Sequence, residues 1–166
     1  IEDLKKSIKQ KEIELGEEIG LVVVDYIELI LTKSSDPTQA SAEAAQGLRE
    51  IANSGKVVLV LLQPNKMSSR ADEPLLSYNA AKGSSAIAQA VTAMLTCHRP
   101  GYDSRDPSND NYFSVNCVKN RMGALFHADF AWHGPTGIIT ELEDIQRKEL
   151  AELRQMKKEQ KEGDLI

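Results

Sequence analysis

The sequence predicts an α/β fold with a mostly parallel sheet and helices on both of its faces. Two runs composed wholly of Val and Leu, residues 21–24 and 57–62, have the composition of strands that are buried on both faces. A segment with helical capping signals, residues 36–53, lies between them. Because helices that alternate with strands act as crossovers between parallel strands, this order favours a parallel sheet.

The ends of two helices can be read from the sequence. Residues 2–15 carry apolar side chains at positions 4, 8 and 15 among charged ones, which predicts an amphipathic helix that ends at Gly16. In the second helix, Asp36 and Pro37 suit the N-cap and first-turn positions, and the sequence "NSG" at 53–55 ends it.

The C-terminal half reads differently. A polar connection of about twenty residues begins at Gln63, and a connection this long is expected to be a binding loop. Residues 85–99 predict a short helix that leads into a strand. Three further segments, at 112–121, 124–132 and 137–142, predict antiparallel strands joined by the turns "MG" and "HGPTG". Residues 1–142 are therefore assigned to the core, and residues 143–166 to a charged C-terminal helix or tail.

Composition and charge exclude several classes of protein. Apolar residues make up 41% of the chain, but no run approaches the length of about 18 apolar residues that a membrane span needs. The net charge is −5, whereas a protein that coats nucleic acid is basic. Residues 49–122 nevertheless hold nine basic against six acidic side chains, so any contact with nucleic acid is expected through a local patch. Because no apolar signal segment follows Ile1, a cytoplasmic location is expected.

One ionisable residue directly follows the first predicted strand. Asp25 comes after four apolar residues, at the end of the strand where ligands of parallel sheets bind. A carboxylate half-buried there is unfavourable unless a cation or hydrogen-bond donors satisfy it. A hydrated Mg²⁺ bound to nucleotide phosphates is one solution, and an aspartate that caps the next turn is the alternative. Gln63 ends the second predicted strand at the equivalent position, where its amide suits a phosphate oxygen or a water.

Two cations stand close to the predicted "MG" turn. Lys119 and Arg121 are two residues apart, so they share a face of a strand and would project together beside the hairpin tip. The alternative is a solvated edge strand that its positive charges protect from pairing. The three histidines, at positions 98, 127 and 133, lack metal-ligand spacing, and no chemistry is assigned to them.

Four segments resemble one family of motor proteins in their order and approximate spacing: "LVVVDYIELI", "KVVLVLLQPNK", "KGSSAIAQAVTAMLTCHR" and "VKNRMG". They resemble the C-terminal half of a DnaB-type replicative DNA helicase, whose ATPase domain has the RecA-like fold of P-loop NTPases. The resemblance implies that Asp25 is the Walker B aspartate, which orients Mg²⁺ through water, and that Gln63 senses the γ-phosphate. It also implies that Lys119 and Arg121 are the lysine and the arginine finger that reach into the nucleotide site of a neighbouring subunit.

The resemblance further implies the ligands and partners of the full-length protein. ATP and Mg²⁺ are the expected cofactors, and single-stranded DNA is the expected nucleic-acid partner. The expected assembly is a homo-oligomer, a hexameric ring. The loop from Pro64 to Lys82 resembles the segment that faces the channel of the ring. Within it, Lys66, Arg70 and Lys82 are expected to contact DNA phosphates in a salt-dependent way that ignores base sequence.

Two elements of the family pattern are missing from the sequence. It contains no G-x-x-x-x-G-K-S/T loop to cradle phosphates, and no recognisable glutamate that polarises the attacking water. Gly55 and Lys56 are followed by Val and lead into a strand, which is the wrong context for such a loop. The chain is therefore expected to be an N-terminally incomplete part of the helicase and to be inactive by itself.

Two other interpretations remain open. A RecA- or RadA-type recombinase, or a KaiC-like clock ATPase, shares the strand that ends in aspartate and the glutamine after the next strand. A non-catalytic RecA-like module that acts as a scaffold or regulatory subunit is the other alternative.

Overall fold

A computed structural model describes residues 1–63, 84–99 and 111–163. Within them the chain divides into two units. The first unit comprises residues 1–63, 84–94 and 118–123, and the second comprises residues 95–99, 111–117 and 124–163. Among the helices in these ranges, none combines the length and apolar character that crossing a membrane requires.

The first unit alternates helices and strands. In chain order it contains α1 (Glu2–Leu15), β1 (Leu21–Val24), a short 3₁₀ helix (Ile27–Leu29), α2 (Pro37–Asn53), β2 (Val57–Val60) and α3 (Ser84–Ala90). Both predicted helices are confirmed. Helix α1 ends at Gly16, whose left-handed φ of 69° lets its N–H donate to the carbonyl of Glu12 at 2.9 Å. Helix α2 starts as predicted, since the Asp36 carboxylate accepts from the N–H of Gln39 at 2.7 Å and Pro37 occupies the first turn.

Strands β1 and β2 are parallel, and α2 connects them. The register runs from Leu21 opposite Val57 to Val24 opposite Val60. Even-numbered strand residues pack into one hydrophobic cluster with residues from all three helices. Its buried members are Ile8, Val22, Ile27, Ala44, Ala45, Leu48, Ile51, Ile87, Ala88 and Met94. The predicted α/β class with a parallel strand pair is confirmed.

The odd-numbered face of the same two strands is exposed. Leu21 and Val23 are each 55% exposed, Val57 is 65% exposed and Leu59 is 51% exposed. The prediction that both strands are buried on both faces is therefore wrong for this chain. A run of Val and Leu looks the same in sequence whether one face or two are covered. Here α1, α2 and α3 contribute to the cluster that covers the even-numbered face.

The second unit is built on antiparallel strands. Strands β3 (Ala93–His98), β4 (Tyr112–Asn120), β5 (His127–His133) and β6 (Ile138–Glu141) form a sheet in that order, and α4 (Asp144–Gly163) follows. The first two residues of β3 and the last three of β4 belong to the first unit. The pairs β4–β5 and β5–β6 are antiparallel, as predicted. Tyr112, Leu142 and Leu150 form the buried core of this unit, which joins the sheet to α4.

Candidate functional site

The carboxyl ends of β1 and β2 lie at one edge of the sheet and carry the two predicted polar residues. Asp25 directly follows β1, and Gln63 comes three residues after β2. Pairing continues past the strands, because the N–H of Leu61 donates to the carbonyl of Val24 at 2.9 Å and the N–H of Ile27 donates to that of Leu61 at 3.1 Å. The structure thus brings Asp25 and Gln63 to the same edge.

Both of these side chains are exposed to solvent. The sequence pattern predicts a half-buried carboxylate at Asp25, and this prediction is wrong for the described chain. The reason is the same as for Leu21 and Val23, which are exposed on this strand as well. Relief of an unfavourable burial therefore does not explain the position of Asp25, but an exposed carboxylate is accessible to a hydrated cation.

The alternative interpretation of Asp25, as a cap of the next turn, is not supported. The 3₁₀ helix at Ile27–Leu29 begins with Tyr26 as its N-cap, and no side-chain hydrogen bond caps it. A carboxylate at an N-cap normally accepts from the backbone N–H groups of the first turn. Asp25 therefore does not cap this helix, and its role in holding Mg²⁺ stays a prediction.

The donor set at this edge fits a magnesium–nucleotide complex better than a protein-bound metal. The described residues contain no group of three or more His, Cys, Asp or Glu side chains that could hold a metal ion. Mg²⁺ usually keeps several waters and takes one or two carboxylates together with substrate phosphates. A single exposed carboxylate at Asp25, with the Gln63 amide on the same edge of the sheet, matches that mode of binding.

The two predicted cations meet at the end of α3. The Lys119 ammonium donates to the carbonyl of Ala88, and Nη2 of Arg121 donates to that of Gln89 at 2.7 Å. Burial lowers the pKa of Lys119 below its ordinary value, and the nearby charges of Arg121 and Arg49 lower it further. Strand β4 lies between β3 and β5, but its register with β5 runs only from Tyr112 to Asn116, so Lys119 lies beyond that paired stretch and the alternative of a charged edge stays open.

Lys66, Arg70 and Lys82, the predicted DNA contacts, lie outside the described residues.

A second polar cluster, which the sequence analysis missed, surrounds Asp129 in the second unit. Nη1 and Nη2 of Arg154 donate to Oδ2 and Oδ1 of Asp129, each at 2.7 Å, and the Ser114 hydroxyl lies 2.6 Å from Oδ1. Nε2 of His127 lies 2.9 Å from Oδ2, and Nδ1 of the same ring contacts the side chain of Asn116. These bonds attach α4 to β4 and β5, so their evident role is structural. Ser114 and Arg154 are 15 and 25 residues from Asp129 in sequence, and no local pattern signals these two contacts.

Burial by itself would raise the pKa of Asp129, but hydrogen bonds from Arg154 and Ser114 outweigh burial and hold the pKa below its usual value. A carboxyl whose pKa is lower in the folded protein stabilises the fold above its unfolded pKa of about 3.9. This contribution is lost as the pH falls through the lower, folded pKa.

Asp129→Asn is expected to destabilise the protein by about 1–3 kcal/mol at pH 7, because it leaves Arg154 and the buried Ser114 hydroxyl without their charged acceptor. The difference in free energy of unfolding between the protein and the variant should shrink as the pH falls below about 4. Denaturant unfolding between pH 7 and pH 3 measures it. Asp3→Asn is the control, since the Asp3 side chain is fully exposed. A difference that stays constant with pH would contradict the prediction.

The family described as the DnaB-like helicase C terminal domain matches residues 1–141. The chain belongs to this family. The resemblance found in the sequence is confirmed, and α4 lies beyond the matched residues. A comparison with curated proteins finds no match.

Two solved structures share the fold of this DnaB-like chain. One is a DnaB-like replicative helicase studied together with its interactions with primase. It has a TM-score of 0.73 and 18% identity, over 83% of this chain and 34% of that one. The other is an ATPase domain with a TM-score of 0.72 and 18% identity, over 81% of this chain and 49% of that one. The chain thus spans about a third of the first structure and about half of the second.

Proposed function

We propose that this chain is part of an ATP-dependent replicative DNA helicase and carries its Walker B, sensor and arginine-finger residues. Membership of the DnaB-like family supports the proposal. The observation that carries it is the shared edge of β1 and β2, where Asp25 and Gln63 follow two parallel strands. Ligands of parallel sheets bind at this edge, and a carboxylate and an amide on one edge suit a nucleotide with its metal.

At that edge Asp25 would hold Mg²⁺ through a bound water, and Gln63 would contact the γ-phosphate or the water next to it. When bound, Mg²⁺ neutralises charge on the phosphates. The exposed position of Asp25 suits an indirect contact, since a hydrated cation needs room for its waters. The Gln63 amide has both donors and an acceptor, so it can respond to whether a phosphate is present.

Lys119 and Arg121 are proposed to act on the nucleotide of a neighbouring subunit. Catalysis of phosphoryl transfer depends on positive charge placed where negative charge develops. Nη2 of Arg121 donates to the neutral carbonyl of Gln89, which holds this side chain without cancelling its charge, and the Lys119 ammonium donates to the carbonyl of Ala88. Such an arrangement requires a ring or another oligomer, in which one subunit supplies the cations and the next supplies the site.

The remaining features of the proposal follow from the same family. Lys66, Arg70 and Lys82 are proposed to contact the phosphates of single-stranded DNA, and residues 143–166 are proposed to form an appended C-terminal element. Because its sequence contains no phosphate-binding loop, the 166-residue chain alone is proposed not to hydrolyse ATP.

The full-length protein is expected to hydrolyse ATP faster with single-stranded DNA and to unwind a forked duplex, whereas the 166-residue chain should do neither. Steady-state phosphate release and a strand-displacement assay measure these activities. Strand exchange without unwinding would favour the recombinase, and a full-length protein without ATPase activity would favour the scaffold. Hydrolysis by the 166-residue chain would contradict the proposed dependence on a phosphate-binding loop.

A further inference from the structure

The C-terminal turn of α3, residues 88–90, collects three basic side chains from different elements. Lys119 at the end of β4 donates to the carbonyl of Ala88, and Arg121, just after β4, donates to that of Gln89 at 2.7 Å. Nη1 of Arg49 on α2 lies 3.5 Å from the same Gln89 oxygen, at the outer limit of a hydrogen bond. All of these residues belong to the first unit.

A helix end is a favourable place for cations. The last four carbonyls of a helix have no partner within the helix, and the aligned peptide dipoles make this end negative. The acceptors are nevertheless neutral, so a cation bound there keeps its net charge. Burial lowers the pKa of Lys119, and the positive charges of Arg121 and Arg49 lower it further, so both arginines lie close enough to act on the ammonium.

Three other basic side chains in the described part of the chain are held by carboxylates. Lys5 pairs with Glu50 at 2.8 Å, Lys56 pairs with Glu12, and Arg154 pairs with Asp129. Arg121 forms no ion pair with any residue that the structure describes. Its charge is therefore not compensated by these residues, although the side chain is anchored.

Arg121 is attached at two points. Its backbone N–H donates to the carbonyl of Thr92 at 3.0 Å, and its side chain donates to that of Gln89. Both acceptors lie on the segment that ends α3 and leads into β3. A guanidinium has five N–H donors, and the bond from Nη2 to Gln89 uses one of them.

We propose that the C-terminal turn of α3 is the positioning element for Arg121, and that the Gln89 carbonyl orients the guanidinium while leaving its charge for a phosphate group. This inference rests on the proposed function, in which Arg121 acts on the nucleotide of a neighbouring subunit. A misplacement of about 1 Å can lower a rate by about 10²-fold, so the rigidity of this turn matters for the reaction. Gln89 acts through its backbone and does not touch the nucleotide.

The test compares Gln89→Gly with Gln89→Ala in the full-length protein. Both variants remove the same exposed side chain and keep the carbonyl, but glycine loosens the turn. The kcat for ATP hydrolysis is expected to be about three- to ten-fold lower for Gln89→Gly than for Gln89→Ala, with KM for ATP unchanged. Gln10→Gly and Gln10→Ala, on the exposed surface of α1, are the matched control pair and should have equal kcat.

A charge variant tests whether the loss of kcat follows from the charge near Arg121 and not only from a less stable fold. Gln89→Glu adds a negative charge to the residue whose carbonyl holds Arg121 and should lower kcat by about two- to five-fold, with no loss in melting temperature large enough to explain it. Equal kcat for Gln89→Gly and Gln89→Ala, or a fall in melting temperature alone, would overturn the inference. If Arg121→Ala keeps its ATPase activity, the proposed catalytic role of Arg121 is contradicted, and the positioning role falls with it. If Arg121→Ala is inactive but the Gln89 variants are not impaired, only the positioning role fails.

Discussion

Arg121→Ala in the full-length protein is expected to lower kcat for ATP hydrolysis by about 10³- to 10⁵-fold, the range typical of an arginine that stabilises phosphoryl transfer. The physical reason is the loss of a positive charge that the neutral Gln89 carbonyl holds in position without cancelling it. Steady-state phosphate release at saturating ATP measures the effect. Unwinding should be lost together with hydrolysis, because it depends on the same chemical step.

The fold is expected to survive this substitution. The Arg121 side chain is exposed, and the backbone bond from its N–H to Thr92 does not depend on the side chain. Arg147→Ala is a matched control, because Nε of Arg147 also donates to a backbone carbonyl, that of Leu142, at 3.1 Å. The control should keep its ATPase activity. An Arg121→Ala protein with more than a tenth of the original kcat would contradict the proposed role.

The sequence predicted the elements that depend on local interactions. The start of α2 follows from Asp36 and Pro37, and the end of α1 follows from Gly16, because these residues satisfy or terminate the helix within one turn. The parallel pairing of β1 with β2 follows from the helix between them. The position of Asp25 at the end of a strand could therefore be predicted.

What the sequence could not show depends on contacts between distant residues. The exposure of Asp25 depends on which face of β1 is covered, and valines and leucines do not record that. Lys119 and Arg121 were predicted to project together, but their acceptors are backbone carbonyls 31 and 32 residues away. Every residue has a carbonyl, so such an acceptor leaves no trace in the sequence. The ion pair between Arg154 and Asp129 also joins residues that are distant in sequence, 25 residues apart.

Asp25→Asn is expected to lower kcat for ATP hydrolysis by at least about 10²-fold, because a bound metal contributes several kcal/mol to the stabilisation of transition-state charge. Asparagine keeps the shape of the side chain but removes the negative charge that would hold the hydrated cation. Because the Asp25 side chain is exposed, the melting temperature of the variant should equal that of the unchanged protein. The measurement is kcat as a function of Mg²⁺ concentration, and the variant should need more Mg²⁺ to approach its maximum rate. Glu28→Gln, an exposed carboxylate on the neighbouring 3₁₀ helix, is the control.

A mixture of Asp25→Asn and Arg121→Ala subunits tests whether the two residues act across a subunit boundary. Each variant alone lacks one essential group at every interface. In a mixed oligomer, an Arg121→Ala subunit still supplies Asp25, and an Asp25→Asn subunit still supplies Arg121. Where these two subunits meet in the right order, both residues are present at one nucleotide site. Co-assembly is therefore expected to restore measurable hydrolysis that neither variant has alone, and the gain should disappear when the variants are combined in one chain. A mixture no more active than its separate components would show that Asp25 and Arg121 do not complete one site from two subunits.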